Sequence, residues 1–131
     1  MDFKNKLIDF YFLAPSFLCI LFSFNLFDLK LNNLTLYYTF GVTVPFFILQ
    51  IYSLTKFSKK VKEKNLKLYK KACIRPNGSK SNSINVASLF DESIPFSEIK
   101  DELLAREFRF TKKAVIYSML SFIILIILYF I

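Results

Sequence analysis

Residues 114–131 read AVIYSMLSFIILIILYFI, eighteen consecutive positions with no charge, no Gly and no Pro. An α-helix rises ~1.5 Å per residue, so this run covers ~27 Å of the ~30 Å of hydrocarbon in a bilayer. Lys112 and Lys113 stand immediately before it. The run extends to the last residue, so no tail beyond the membrane is expected. Eighteen apolar residues in a row are too many for the one-sided face of a soluble helix, and the run predicts a transmembrane helix.

Two further runs have the same character. The first, Phe10 to Phe27, lies between Asp9 and Asp28, and the second covers Leu34 to Leu54. The polar break between them is Asp28-Leu29-Lys30-Leu31-Asn32-Asn33. Lys4 and Lys6 give the first run the look of a signal peptide. No Ala-x-Ala site follows it, and Phe17-Leu18 before Cys19 is too bulky for lipoprotein processing, so an uncleaved helix is expected. Pro45 lies near the middle of the second run and should kink it, because its ring removes one backbone hydrogen bond.

Composition agrees once its distribution is considered. Hydrophobic residues make up 54% and charged residues 21%, values that a soluble domain also reaches. Here the apolar residues are concentrated in runs and the charges lie between them. The net charge is +8. In a membrane protein such an excess is first an orientation signal. Placing residues 55–113 in the cytoplasm also puts the N-terminal segment there, and 17 of the 18 basic residues then share one side, with Lys30 alone opposite. The expected organisation is a two-span hairpin over 1–54, a basic cytoplasmic segment over 55–113 and a third span over 114–131.

The middle segment opens with Lys56, Lys59, Lys60, Lys62, Lys64, Lys67, Lys70 and Lys71, against the single acid Glu63. No breaker precedes Arg75-Pro76-Asn77-Gly78, a strong turn signal, so the second helix is expected to continue to about Cys73. Ser79 to Ser83 is polar and low in complexity and is expected to be mobile. Val86 to Phe96 turns apolar and should fold back on the helices or onto the membrane surface. Ser97 is the expected N-cap of a helix that runs into the third span, with Glu98, Asp101 and Glu102 in its first turns. The fold class is therefore an all-α membrane protein with three transmembrane helices, the second and third extended into a cytoplasmic antiparallel helical hairpin. Counting outward from Thr55 and Lys113 sets Glu107 beside Lys60, Lys62 and Lys64, Glu102 beside Lys67, and Glu98 level with Lys70. In the same register Val61 and Leu68 meet Leu103, Ile99 and Phe110.

Small and polar residues form stripes in the spans: Asp9, Ser16 and Ser23; Thr35, Thr39, Thr43 and Gln50; Ala114, Ser118 and Ser121. Such residues let helices approach closely and hydrogen-bond across their contacts, which favours packing over a polar path. Asp9 is the acid at the membrane edge, and Lys56, Lys112 and Lys113 fall at a similar depth. A structural ion pair is expected there, with proton transfer as the rival role. The Lys cluster from Lys56 to Lys71 has three readings: orientation signal, contact with anionic lipid headgroups, or docking of an acidic partner. No nucleic-acid module accompanies the charge, so nucleic acid is not expected.

Nothing points to catalysis. The chain has no His, which removes the commonest metal ligand and acid–base group. No Gly-x-Ser-x-Gly, Gly-rich phosphate loop, His-Glu-x-x-His or acidic metal cluster occurs, and neither cofactor nor metal is expected. Cys19 and Cys73 fall on opposite sides of the expected membrane boundary and should not pair. Asn33-Leu34-Thr35 and Asn77-Gly78-Ser79 match the glycosylation pattern by chance: one abuts the membrane and the other is expected in the cytoplasm.

From about Leu68 onward the chain resembles the universal stress protein B family of small bacterial membrane proteins. The resemblance is carried by Leu68-Tyr69-Lys70-Lys71, by the Val86 to Phe90 patch, and by Asp101-Glu102-Leu103-Leu104 followed by Arg106 and Arg109. It covers under half of the chain, which departs from the family in having two N-terminal spans where the family has one. It implies no catalytic residue and at most an inner-membrane protein of poorly defined role; the role expected for this chain is non-catalytic interaction or regulation within the membrane, with another membrane protein or a second copy as partner. By architecture alone the layout also resembles membrane immunity proteins against pore-forming toxins, and a subunit of a small oligomeric pore is a further alternative.

Overall fold

The computed structural model describes residues 3–24 and 34–130. Six α-helices carry those residues: α1 (Phe3–Ser23), α2 (Leu34–Tyr38), α3 (Val44–Lys64), α4 (Leu66–Ala72), α5 (Val86–Leu89) and α6 (Glu102–Phe130). A π-helical turn, Thr39–Thr43, joins α2 to α3. Among the described residues there is no strand beyond a lone bridge between Ile74 and Lys80. Three helical stretches are long and apolar enough to cross a membrane: Phe3–Ser23, Leu34–Lys64 and Glu102–Phe130. The described residues thus form an all-helical fold with three helices long and apolar enough to cross a membrane. The polar break at 28–33 and the expected end of the first run at Phe27 lie outside the described residues.

The chain divides into two compact units, Met1–Ile48 with Ile116–Ile131, and Leu49–Val115. In the first, Pro45 shapes the backbone. A proline offers no N–H to the carbonyl four residues earlier, and its ring crowds that carbonyl. Here the helix widens by one residue instead of continuing regularly, and the Val44 N–H reaches back five residues to the Thr39 carbonyl. Such π turns are a recognised source of helix kinks. The Tyr11 hydroxyl of α1 donates at 2.6 Å to the carbonyl of Gly41, the residue four before Pro45. Phe12, Phe46 and Tyr117 pack beside this contact: Phe12 stacks on Tyr117 with centroids 4.4 Å apart, and Phe46 meets both edge-on.

The second unit has its own apolar core. Phe57, Val61 and Ile84 are fully buried, with Leu68, Leu89, Ile94, Phe96, Leu104 and Val115 around them. Phe57, Phe96 and Phe108 form a ring cluster with centroids 5.0 to 5.8 Å apart. Burying one such side chain contributes about 1.5–3 kcal/mol. The Val86 to Phe96 segment folds back on the helices, as expected. Asn85 and Ser88 secure it: the Asn85 amide donates to the Ala72 and Ile74 carbonyls, and Ser88 Oγ donates to the Ala72 carbonyl at 2.7 Å.

Four local expectations need correction. The second helix stops at Lys64, not near Cys73, because Asn65 leaves helical geometry and its side chain caps α4 by accepting from the Leu68 N–H at 3.1 Å. Asn competes for backbone donors in this way, which makes it a better cap than helix interior. The last helix begins at Glu102, and its cap is Asp101, whose Oδ1 accepts from the Leu103 and Leu104 N–H groups at 2.9 and 3.2 Å. Ser97 lies instead in a 3₁₀ turn, Phe96–Glu98. The Ser79 to Ser83 loop is tied down: Ser81 N–H donates to the Cys73 carbonyl and the Tyr69 hydroxyl donates to the Asn82 carbonyl. Finally, Leu103 is 62% exposed while Leu104 is buried, so the inward face of α6 is one residue later than the count from Lys113 gave. The turn at Arg75-Pro76-Asn77-Gly78 forms as expected, with Gly78 at φ 84° and its N–H bonded to the Arg75 carbonyl at 2.8 Å.

Candidate functional site

The basic face of the second unit is built by α3 and α4. Buried positions on α3 recur at Ser53, Phe57 and Val61. That spacing fixes one face inward and turns the lysines between them outward. Lys60 Nζ lies 2.9 Å from Glu107 Oε1, and Lys56 Nζ lies 3.7 Å from the same oxygen. Lys64 pairs with Asp101. Lys62 stands over the Tyr69 ring, 5.8 Å from its centroid. Lys71 donates to the Ser93 carbonyl at 2.8 Å. Lys59, Lys67 and Lys70 are exposed and carry no hydrogen bond or ion pair among the described residues. The expected pairing of Glu107 with Lys60 is therefore present, whereas Glu102 bonds Arg106 one turn along its own helix instead of Lys67.

The eight lysines thus do not act as one cluster. Lys56, Lys60 and Lys64 are engaged by carboxylates of α6 or its cap. Lys59, Lys67 and Lys70 present ammonium groups without a partner among the described residues. The Lys64 ammonium and the N–H groups of Leu103 and Leu104 hold the Asp101 carboxyl below the usual carboxylate range, with the Lys64 hydrogen bond as the main cause. Two hydrogen bonds from Ser93 do the same for Asp91. Burial pushes the Cys73 thiol up from its ordinary value, which suits an inert core thiol and not a nucleophile. Both cysteines are free.

Asp9 belongs to the first unit, and Lys56, Lys112 and Lys113 to the second. Asp9 Oδ1 accepts a hydrogen bond from the Tyr117 hydroxyl. Sequence patterning did not identify this partner. The signal was weak: Tyr117, one of two tyrosines in the apolar run, has a hydroxyl that needs a polar partner when removed from water. Lys112 lies over the rings of Phe90 and Phe108, at 5.2 and 5.8 Å.

The polar stripes behave mainly as packing surfaces. Ser16 and Tyr38 share a buried hydrogen bond of 2.9 Å. Thr39 bonds the Thr35 carbonyl, Ser23 that of Ile20 and Ser121 that of Ser118, each within its own helix. Ala114, Ser118 and Ser121 are buried. No group of three or more His, Cys, Asp and Glu side chains with metal-site geometry occurs among the described residues. Comparison with protein-family models, curated proteins and solved structures finds no match.

Proposed function

We propose that this is a non-catalytic inner-membrane protein of bacterial type with an interaction or regulatory role, and that its basic unit works at the cytoplasmic face against anionic lipid headgroups. One observation carries the reading: 17 of 18 basic residues fall on one side of the three spans. That bias is the strongest orientation signal known for short loops. The likeness of the second half to the universal stress protein B family accords with it.

The lysines divide by depth along α3. Lys56, Lys59 and Lys60 follow the last apolar residue, Leu54, by two to six positions, or ~3–9 Å along the helix axis. The polar layer of each leaflet is ~5–8 Å deep. Glu107 engages Lys56 and Lys60, and Lys59 is left to meet a lipid phosphate at ~1 kcal/mol. The headgroup contact is therefore an anchor for orientation and depth, modest in energy, and the regulatory partner is a second membrane protein or another copy of this chain.

Thiol labelling tests the orientation. On a Cys19→Ser, Cys73→Ser background, Lys80→Cys should be protected from an impermeant reagent in intact cells and Asn32→Cys should be labelled. The reverse pattern overturns the reading. Reconstitution tests the lipid contact: trypsin should cleave at Lys59 more slowly in phosphatidylglycerol vesicles than in phosphatidylcholine vesicles. Equal rates would remove the headgroup role.

A further inference from the structure

The second unit contains an open cavity of about 740 Å³ between the start of α4 and the segment that leads into α6. Its polar wall carries Lys64, Lys67, Lys71 and Lys100, with the acids Glu98 and Asp101. Four lysines against two acids leave an excess of two positive charges. The cations are not equivalent. Lys64 is neutralised by Asp101, and Lys71 spends one of its three N–H donors on the Ser93 carbonyl. Lys67 and Lys100 are exposed and carry no partner among the described residues. The cavity's apolar lining is formed by Leu68, Ile99 and Leu104, of which Leu68 and Leu104 belong to the buried core. The size lies within the range of small-molecule sites, and an apolar wall with a few converging polar groups is their usual composition.

Depth decides which anion reaches this cavity. Lys64 follows Leu54 by ten residues on one unbroken helix, ~15 Å along its axis. This lies beyond the ~5–8 Å polar layer of a leaflet. A headgroup in the bilayer falls short, whereas a dissolved molecule has access. The two lysines without a partner among the described residues, Lys67 and Lys100, match in charge a phosphate monoester, which carries about −1.5 to −2 at neutral pH. A bare phosphate would leave the apolar wall uncovered.

We propose that this cavity binds a water-soluble phosphate monoester, its phosphate held by Lys67 and Lys100 and its organic body against Leu68, Ile99 and Leu104. The proposal deepens the regulatory reading above and uses its membrane boundary near Leu54. A ligand bound here would bridge the start of α4 to the approach to α6 and so fix the shape of the surface that a partner meets.

Phenyl phosphate is a suitable probe, titrated calorimetrically into the full chain in uncharged detergent at low ionic strength. Saturable one-to-one binding is expected, with inorganic phosphate weaker by about tenfold or more because it covers no apolar wall. Lys67→Gln with Lys100→Gln should weaken phenyl phosphate by about tenfold or more. The charge-matched pair Lys80→Gln with Arg109→Gln should change it by less than about twofold. Neither substituted pair has a side-chain partner to lose among the described residues, and circular dichroism checks that both fold. Absence of saturable binding, or equal losses in the two pairs, overturns the proposal. So does binding that survives in phosphatidylcholine vesicles and vanishes in phosphatidylglycerol vesicles, since the cavity would then belong to a lipid headgroup. Carbonate extraction of native membranes tests the membrane reading separately, and a chain released by carbonate would overturn that reading without changing the titration.

Discussion

Tyr11 of α1 donates its hydroxyl to the carbonyl of Gly41, 2.6 Å away and four residues before Pro45. In a regular α-helix the N–H of residue 45 would donate to this carbonyl; Pro45 has none, and the tyrosine supplies a donor there. A sequence feature that disrupts one helix is thereby turned into a contact with another.

This relationship predicts a non-additive pair of substitutions. Tyr11→Phe removes this hydroxyl donor from the Gly41 carbonyl and should lower stability in detergent by about 1–2 kcal/mol. Pro45→Ala supplies an N–H at residue 45, so adding Tyr11→Phe to it should cost clearly less than adding Tyr11→Phe to the native chain. Unfolding of the four proteins in a double-mutant cycle measures the difference. Equal costs in both backgrounds would mean that the hydroxyl does not compensate for the proline.

The second prediction concerns neighbouring leucines on α6. Leu104 is 3% exposed and joins the core with Phe57 and Val61, whereas Leu103 is 62% exposed. Leu104→Ala should cost about 2–5 kcal/mol, and Leu103→Ala should stay within about 0.5 kcal/mol. Thermal unfolding of the two variants decides which face of the helix is turned inward. A larger loss at Leu103 would restore the register counted outward from Lys113.

That one-residue error shows where sequence patterning reaches its limit in this chain. The three spans were legible because a run of eighteen or more apolar residues fits little besides a membrane helix, as in Ala114 to Ile131. The turn at Gly78 was legible because a backbone at positive φ favours glycine. The pairing of Lys60 with Glu107 followed from helix length alone. What escaped depended on single side chains competing for backbone donors. Asn65 and Asp101 cap helices whose ends no Pro or Gly announces, and one misplaced start shifts the facing of every later residue by 100° per position. The Tyr117 partner of Asp9 is separated from it by 108 residues, and periodicity carries no information about such a pair. The cavity beside Lys67 and Lys100 was hidden for the same reason, since its walls come from segments whose meeting depends on the break at Asn65.

Acid titration supplies the third prediction. The Asp101 carboxyl is held below its ordinary value of 3.8 by Lys64 and by two backbone N–H groups. A carboxylate with a depressed folded pKa contributes stability that is fully present above the unfolded value. That contribution is lost as pH falls from about 3.8 through the lower folded pKa. Unfolding curves at pH 7 and at steps below 4 should therefore show a loss of stability on acidification that is smaller in Asp101→Asn. The asparagine still accepts from the Leu103 and Leu104 N–H groups, so the cap persists while the titration is removed. An identical acid slope in both proteins would show that the ion pair with Lys64 has no weight in solution.

Asp9 supplies the last prediction, because a carboxylate within a membrane helix has two competing roles. As a proton-transfer group it would need to change its protonation state during function, and Tyr117 would serve as a relay. As a structural acceptor it would stay charged and keep the hydroxyl of Tyr117, whose ring is stacked on Phe12 and met edge-on by Phe46. The structural role is favoured, since a relay needs a second polar group to pass the proton to, and among the described residues the Tyr117 hydroxyl has no hydrogen-bond partner besides Asp9. Hydrogen bonds to charged groups are worth about 1.5–3 kcal/mol. Tyr117→Phe should thus lower stability by roughly that amount while preserving the ring packing. Asp9→Asn should cost as much or more, because Asp9 also takes part in further interactions. The two substitutions should be strongly coupled in a cycle, with the double variant little worse than Asp9→Asn alone. Reconstituted vesicles loaded with a pH dye provide the second readout. Both variants and the native chain should leave an imposed proton gradient to decay at the rate of empty vesicles. A native chain that collapses the gradient, with Asp9→Asn abolishing the leak at unchanged stability, would make Asp9 a proton carrier and reverse the assignment.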